Sequence, residues 1–170
     1  MTFVPDFGDD NSDRKICFIA SKGTLDMVYP SLVMANAALG EGIETHIFFT
    51  FWGMDIVTKK HMEKLQFTWM GNSAMHPPGK TMHMPQGMAG LPGMTAVATK
   101  MMNGWMGKAN VAKLSELLDM AVMSGVRLIG CQMTMDVMGI EREELLEEVE
   151  IGGAATYLNY VSEDAIALTF

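Results

Sequence analysis

The chain has 170 residues, which calls for one domain with a substantial core, and 49% hydrophobic against 19% charged residues excludes a disordered protein. Twelve Lys and Arg against 20 Asp and Glu leave a net charge of −8, which disfavours capture of nucleic acid or of an anionic membrane surface. Two cysteines, Cys17 and Cys131, are too few for a disulfide scaffold or a four-cysteine metal site.

Residues 1–13 are acidic (Asp6, Asp9, Asp10, Asp13) and read as a flexible leader. They carry no basic region leading into an apolar core, which predicts a cytoplasmic, reducing location. The run Lys15–Ala20 is apolar on both faces and predicts a buried strand, closed by Ser21-Lys22-Gly23. Leu25, Val28, Leu32, Ala35 and Leu39 follow at helical spacing, with Pro30 early and Gly40 and Gly42 at the end. Glu44–Thr50 is a second strand, followed by Trp52-Gly53 and a short amphipathic stretch to about Lys64.

Residues 67–94 break all periodicity and hold five glycines and four prolines, the composition of a long functional or mobile loop. The window Thr81–Thr99 is free of charge, but Pro85, Pro92, three glycines and His83 exclude a membrane span. Helix is predicted from Met94 to Trp105, with a break near Gly104 and Gly107. A second helix from about Asn110 carries Leu114, Leu117, Leu118 and Ala121 on one stripe. Val126–Gly130 is the third clear strand, with Cys131 at its end. Short helices are predicted over Thr134–Met138 and Glu141–Glu148, a longer one over Gly152–Val161, and a last strand over Ala165–Phe170. Alternating Leu65, Phe67 and Trp69 mark one further candidate strand.

Strands separated by helices imply parallel pairing with right-handed crossovers. The fold class is therefore α/β, a three-layer α/β/α sandwich around a mainly parallel sheet of about five strands. The organisation expected is a leader, 1–13, and a single domain, 14–170, with an insertion loop at about 67–94.

Open parallel sheets bind ligands at the carboxyl ends of their strands. Three such ends are available: Ser21-Lys22-Gly23, Thr50-Phe51-Trp52-Gly53 and Cys131-Gln132-Met133. Only the last offers a nucleophile. A cysteine between a strand and a helix start meets backbone N–H groups that favour thiolate. The competing reading is a small core residue, which fits Cys17, in mid-strand between Ile16 and Phe18. Lys22 would support a Cys131 thiolate and a nearby Asp136 would oppose it. Phosphate-binding and hydrolase signals are absent: Gly79-Lys80-Thr81 has Ala74 where a phosphate loop needs glycine, and no Gly-x-Ser-x-Gly elbow occurs.

Methionine is unusually frequent, 19 residues, of which 11 lie between Met54 and Met106. His76 and His83 stand among them, beside Met75, Met82 and Met84. Imidazole with thioether suits Cu(I); the competing reading is an adaptable interaction loop.

Three segments, Phe48-Phe-Thr-Phe-Trp-Gly53, Cys131-Gln-Met-Thr-Met-Asp-Val-Met-Gly139 and Gly152-Gly-Ala-Ala-Thr-Tyr-Leu158, together resemble the DsrE/DsrF-like sulfur-relay family. The Met-Pro-Gly-rich middle and Thr99-Lys-Met-Met102 fit its branch often labelled peroxiredoxin-like. That label does not extend to peroxidase chemistry, whose Thr-x-x-Cys signature would need threonine where Leu128 stands. The resemblance spans residues 14–170 and implies a flavodoxin-like sheet and sulfurtransferase activity through a cysteine persulfide. The family cysteine falls on Cys131. It implies no metal or organic cofactor, a homo-oligomer, small sulfur carriers of the TusA type as partners, and rhodanese-like donors. Lys22, Thr50, Trp52, Gln132, Met133 and Thr134 are the residues expected to line or support the site, and the loop is expected to border it. The alternatives are a soft-metal or small-cofactor binding protein using the Met/His loop, and a non-catalytic interaction protein.

Overall fold

The computed structural model describes residues 14–70, 75–76, 81, 83, 85–161 and 165–170. The predicted leader lies outside the described residues, as does most of 71–84. Five strands, β1 (Lys15–Ala20), β2 (Glu44–Phe49), β3 (Arg127–Cys131), β4 (Val149–Gly152) and β5 (Ile166–Thr169), form one all-parallel sheet in the order β4-β3-β2-β1-β5. This is the expected α/β class; the order is a variation on the 2-1-3-4-5 of flavodoxin itself.

From β1 to β4 the chain steps in one direction across the sheet, so right-handed crossovers place the intervening helices on one face. There α1 (Leu25–Gly40) and α3 (Leu114–Met123) pack Val28, Leu32, Leu117 and Leu118 against Phe18, Ile47, Phe49 and Leu128. The last step reverses, from the β4 edge to the β5 edge. It therefore carries α5 (Ala154–Val161) over the opposite face, where Tyr157 packs with Cys17, Phe48, Ile129 and Cys131. The strict alternation within β1 and β2, Phe18 to one side and Cys17 to the other, produces these two cores. A third cluster, Trp69, Met75, Ala89 and Ala98, packs with Met94, Met101 and Met102 of α2 (Met94–Lys108).

Several boundaries differ from the sequence reading. Helix α2 runs through Gly104 and Gly107, where a side chain would meet open space, and stops before Asn110, which adopts φ +53°. The next helix therefore begins at Leu114. The predicted acidic helix 141–148 is a 3-10 turn, Arg142–Glu144, followed by β4. The alternation at 64–69 is not a strand. Phe67 and Trp69 are buried, but the Phe67 N–H is taken by Thr99 Oγ1 (3.0 Å) and the Gln66 carbonyl by the Leu25 N–H (3.1 Å) at the start of α1.

Candidate functional site

Cys131 ends β3 and is the capping residue of α4 (Gln132–Met138). Its side chain is 5% exposed and belongs to the α5-side cluster. Around it the ends of β1, β2 and β3 are laced together. The Thr50 N–H donates to the Ala20 carbonyl (3.0 Å), and Thr50 Oγ1 lies 3.2 Å from Thr134 Oγ1. The Phe51 N–H donates to Thr134 Oγ1 (3.1 Å) and holds Phe51 at φ +46°, a left-handed conformation that costs a non-glycine residue about 1–2 kcal/mol. The 3-10 helix Phe51–Ile56 then turns so closely over β1 that a Cβ on Gly53 would stand 1.9 Å from the Ala20 carbonyl oxygen. A Cβ on Gly23 would stand 2.5 Å from the Trp52 oxygen.

The fold thus joins Thr50 and Thr134 beside Cys131. Trp52 and Met133 lie at the same end of the sheet, both exposed, with Phe51 and Val137 also exposed there. Gln132 is turned along the surface of α4, its Nε2 donating to Asp136 Oδ1 (2.8 Å). Lys22 is exposed at the end of β1, with β2 lying between that strand and β3. Met135 packs into the opposite core and Met138 is half-buried, so the methionines of α4 do not jointly enclose the thiol. Among the described residues, the hydrophobic side chains packed around Cys131 come from the sheet, α5 and Ala165, while Met75 and Ala89 of the Met-rich loop pack with Ala98 of α2. Residues 71–74, 77–80, 82 and 84 of that loop lie outside the described residues, and with them the expectation that the loop borders Cys131.

Cys17 lies on the same face, fully buried; burial pushes its thiol pKa up, and the nearby Glu44 charge adds to this. The sequence reading missed the contribution of α5. Gly152 is the register partner of Cys131, and a Cβ there would press within 3.0 Å of Ile129 and Thr156. Its doublet with Gly153 is the readable signal of a close approach. The Tyr157 phenol is buried without a hydrogen-bond partner among the described residues, and burial, then Cys17, raise its pKa. The other end of α5 is pinned. Tyr160 stacks on His46 (4.6 Å) and lies under the Arg127 guanidinium (4.5 Å), while Arg127 grips Glu150 (3.1 and 2.7 Å).

A cavity of about 510 Å³ opens on the other side of the sheet, between the starts of α1 and α3 and the end of α2, lined by Tyr29, Met62, Leu65, Met106 and Val111. It shares no residue with the Cys131 cluster. Among the described residues no helix is long and apolar enough to cross a membrane.

The sequence matches the DsrE/DsrF/DrsH-like family over residues 12–169. It is 36% identical over 156 residues to the sulfur carrier protein DsrE2 of Allochromatium vinosum, covering 91% of this chain and 97% of that one. It is 30% identical over 157 residues to the uncharacterized protein YrkE of Bacillus subtilis, covering 91% and 96%. Among solved structures, the protein of unknown function MTH1491 from Methanobacterium thermoautotrophicum shares the fold with a TM-score of 0.52 at 11% identity, over 93% of this chain and 100% of that one. The ychN protein of E. coli does so with a TM-score of 0.51 at 14% identity, over 92% and 99%. With its family matched along nearly the whole sequence and its five-stranded parallel sheet, the chain belongs to the DsrE/DsrF/DrsH-like family.

Proposed function

We propose that this protein is a sulfurtransferase that carries sulfane sulfur as a persulfide on Cys131. The observation that carries the reading is the contrast between its two thiols. Cys17 is sealed in mid-strand with its pKa raised, whereas Cys131 stands where β3 gives way to α4, at the functional end of a parallel sheet. Kinship with a protein named a sulfur carrier supports it.

The Cys131 thiolate attacks the outer sulfur of a donor persulfide, R–S–SH. A bond forms between Sγ and that sulfur, the S–S bond of the donor breaks, and R–S⁻ leaves with the electron pair. Cys131–S–SH then yields the same sulfur to an acceptor thiolate, and Cys131 departs as thiolate. The exchange is redox-neutral and needs no cofactor. Because Cys131 is 5% exposed, access requires its cover to give way. Helix α5, eight residues long and entered through Gly152-Gly153, is the element that moves in this reading. Exposed Phe51, Trp52, Met133 and Val137 offer the partner an apolar landing. The partners in this proposal are TusA-like carriers and rhodanese-like donors, meeting a homo-oligomer in the cytoplasm.

The test is intact mass after incubation with a sulfane donor, followed by trapping of the acceptor as a mixed disulfide. One added sulfur on Cys131, removed by reductant, is expected; no sulfur on Cys131 overturns the reading.

A further inference from the structure

We propose a second site, independent of Cys131, in which His76 and His83 together bind one Cu(I) ion. The two residues are seven apart in a segment without periodicity, so sequence spacing alone sets no geometry. The fold brings them together: their ring centroids stand 5.8 Å apart with the planes at 86°. A metal bonded to one nitrogen of each ring at about 2.0 Å lies roughly 3.2 Å from each centroid, which limits the centroids to about 6.4 Å. With one nitrogen of each ring turned toward a shared ion, a separation of 5.8 Å corresponds to a nitrogen–metal–nitrogen angle of roughly 130°. Coordination is indifferent to the angle between the ring planes, so the perpendicular arrangement is no obstacle.

Both imidazoles are exposed, so the ion enters from solvent without disturbing a core. The chain is anchored on either side. Met75, immediately before His76, is buried with Trp69 and Ala98. After His83, Pro85 leads into the 3-10 turn Gln86–Met88, and Ala89 is buried in the same cluster. The residues flanking the pair, Met75 and Ala89, are thus held against α2.

The donor set selects the metal. Among the described residues no group of three or more His, Cys, Asp or Glu side chains could hold an ion, which leaves a closed tetrahedral zinc site without its ligands. Calcium and magnesium need oxygen donors, and no charged residue occurs from Thr81 to Thr99. Two imidazoles in a methionine-rich stretch of sequence match a soft monovalent ion, which accepts low coordination.

Anaerobic titration of Cu(I) against a chromophoric Cu(I) chelator tests the site. Wild type and Cys131→Ser are each expected to bind one equivalent. His76→Asn and His83→Asn are each expected to weaken binding roughly tenfold or more, and the double variant to abolish it. Copper K-edge absorption of the wild-type complex is expected to show nitrogen scatterers at about 2.0 Å. Circular dichroism confirms that the variants fold, as surface histidine changes should permit. Unchanged affinity in the double variant, sulfur-only coordination, or no Cu(I) binding by wild type overturns the proposal.

Discussion

Thr134 Oγ1 accepts the Phe51 N–H at 3.1 Å while standing 3.2 Å from Thr50 Oγ1, so one hydroxyl ties the first turn after Cys131 to the end of β2. Thr134→Val keeps the shape and removes the acceptor, leaving a partly buried N–H unpaired on a residue already held at φ +46°. The expected cost is about 1–3 kcal/mol in urea denaturation. Slower sulfur loading of Cys131 should accompany it, with Thr134→Ser close to wild type in both.

The two cysteines should separate cleanly. Cys131→Ser is expected to abolish persulfide formation, read by intact mass. Cys17→Ser, a change at a fully buried side chain, should lower stability but leave loading nearly intact in the folded fraction. Equal loss in both variants would refute a carrier with one essential thiol.

Two glycines should respond with opposite signs. Gly53→Ala drives a methyl group into the Ala20 carbonyl oxygen, a backbone atom that cannot retreat without opening the sheet, and should cost about 3 kcal/mol or more. Gly104→Ala places its methyl group in open space within α2 and should add roughly 0.5–1 kcal/mol. Chemical denaturation of both variants checks the pair.

Alkaline stability should depend on Cys17 and Tyr157. Both are neutral when protonated, and burial raises their folded-state pKa above the ordinary 9.0 and 10.0. The folded protein therefore holds these protons to higher pH than the unfolded chain does. The stability this contributes is complete below pH 9.0 and is lost as pH rises through the raised values. Tyr157→Phe should flatten the upper part of that decline. By removing a buried hydroxyl without a partner among the described residues, it should also raise stability at neutral pH by about 1 kcal/mol.

Where apolar residues run unbroken, as in Lys15–Ala20 and Arg127–Cys131, the strands and the cysteine at their end were legible, because burial on both faces leaves an unmistakable pattern. Val149–Gly152 was not: as an edge strand it exposes Glu150 and Ile151, and its charged neighbours imitate a solvated helix. In the sequence, Gly104 and Gly107 suggest a break because propensity cannot register a neighbourhood with free space. Thr50 and Thr134 were each readable as strand-end residues, but 84 positions separate them, and only the pairing of β2 with β3 makes them neighbours. Tyr157 stayed hidden because its place over the cysteines follows from the reversed final crossover, which strand order alone reveals.

That reversal also sets a timetable for synthesis. β1 is made before the other strands of the sheet, yet one of its two flanks is filled by β5, the last of them to be made. Until β5 has been made, β1 presents a bare hydrogen-bonding edge next to Phe18 and Ile19, the sort of edge on which nascent chains stick to one another. Docking of β5, with the Phe170 N–H donating to the Ile19 carbonyl and the Ser21 N–H to that of Phe170 (both 2.8 Å), closes that edge. Deleting β5 should therefore leave a chain prone to aggregate rather than a slightly smaller version of the same protein.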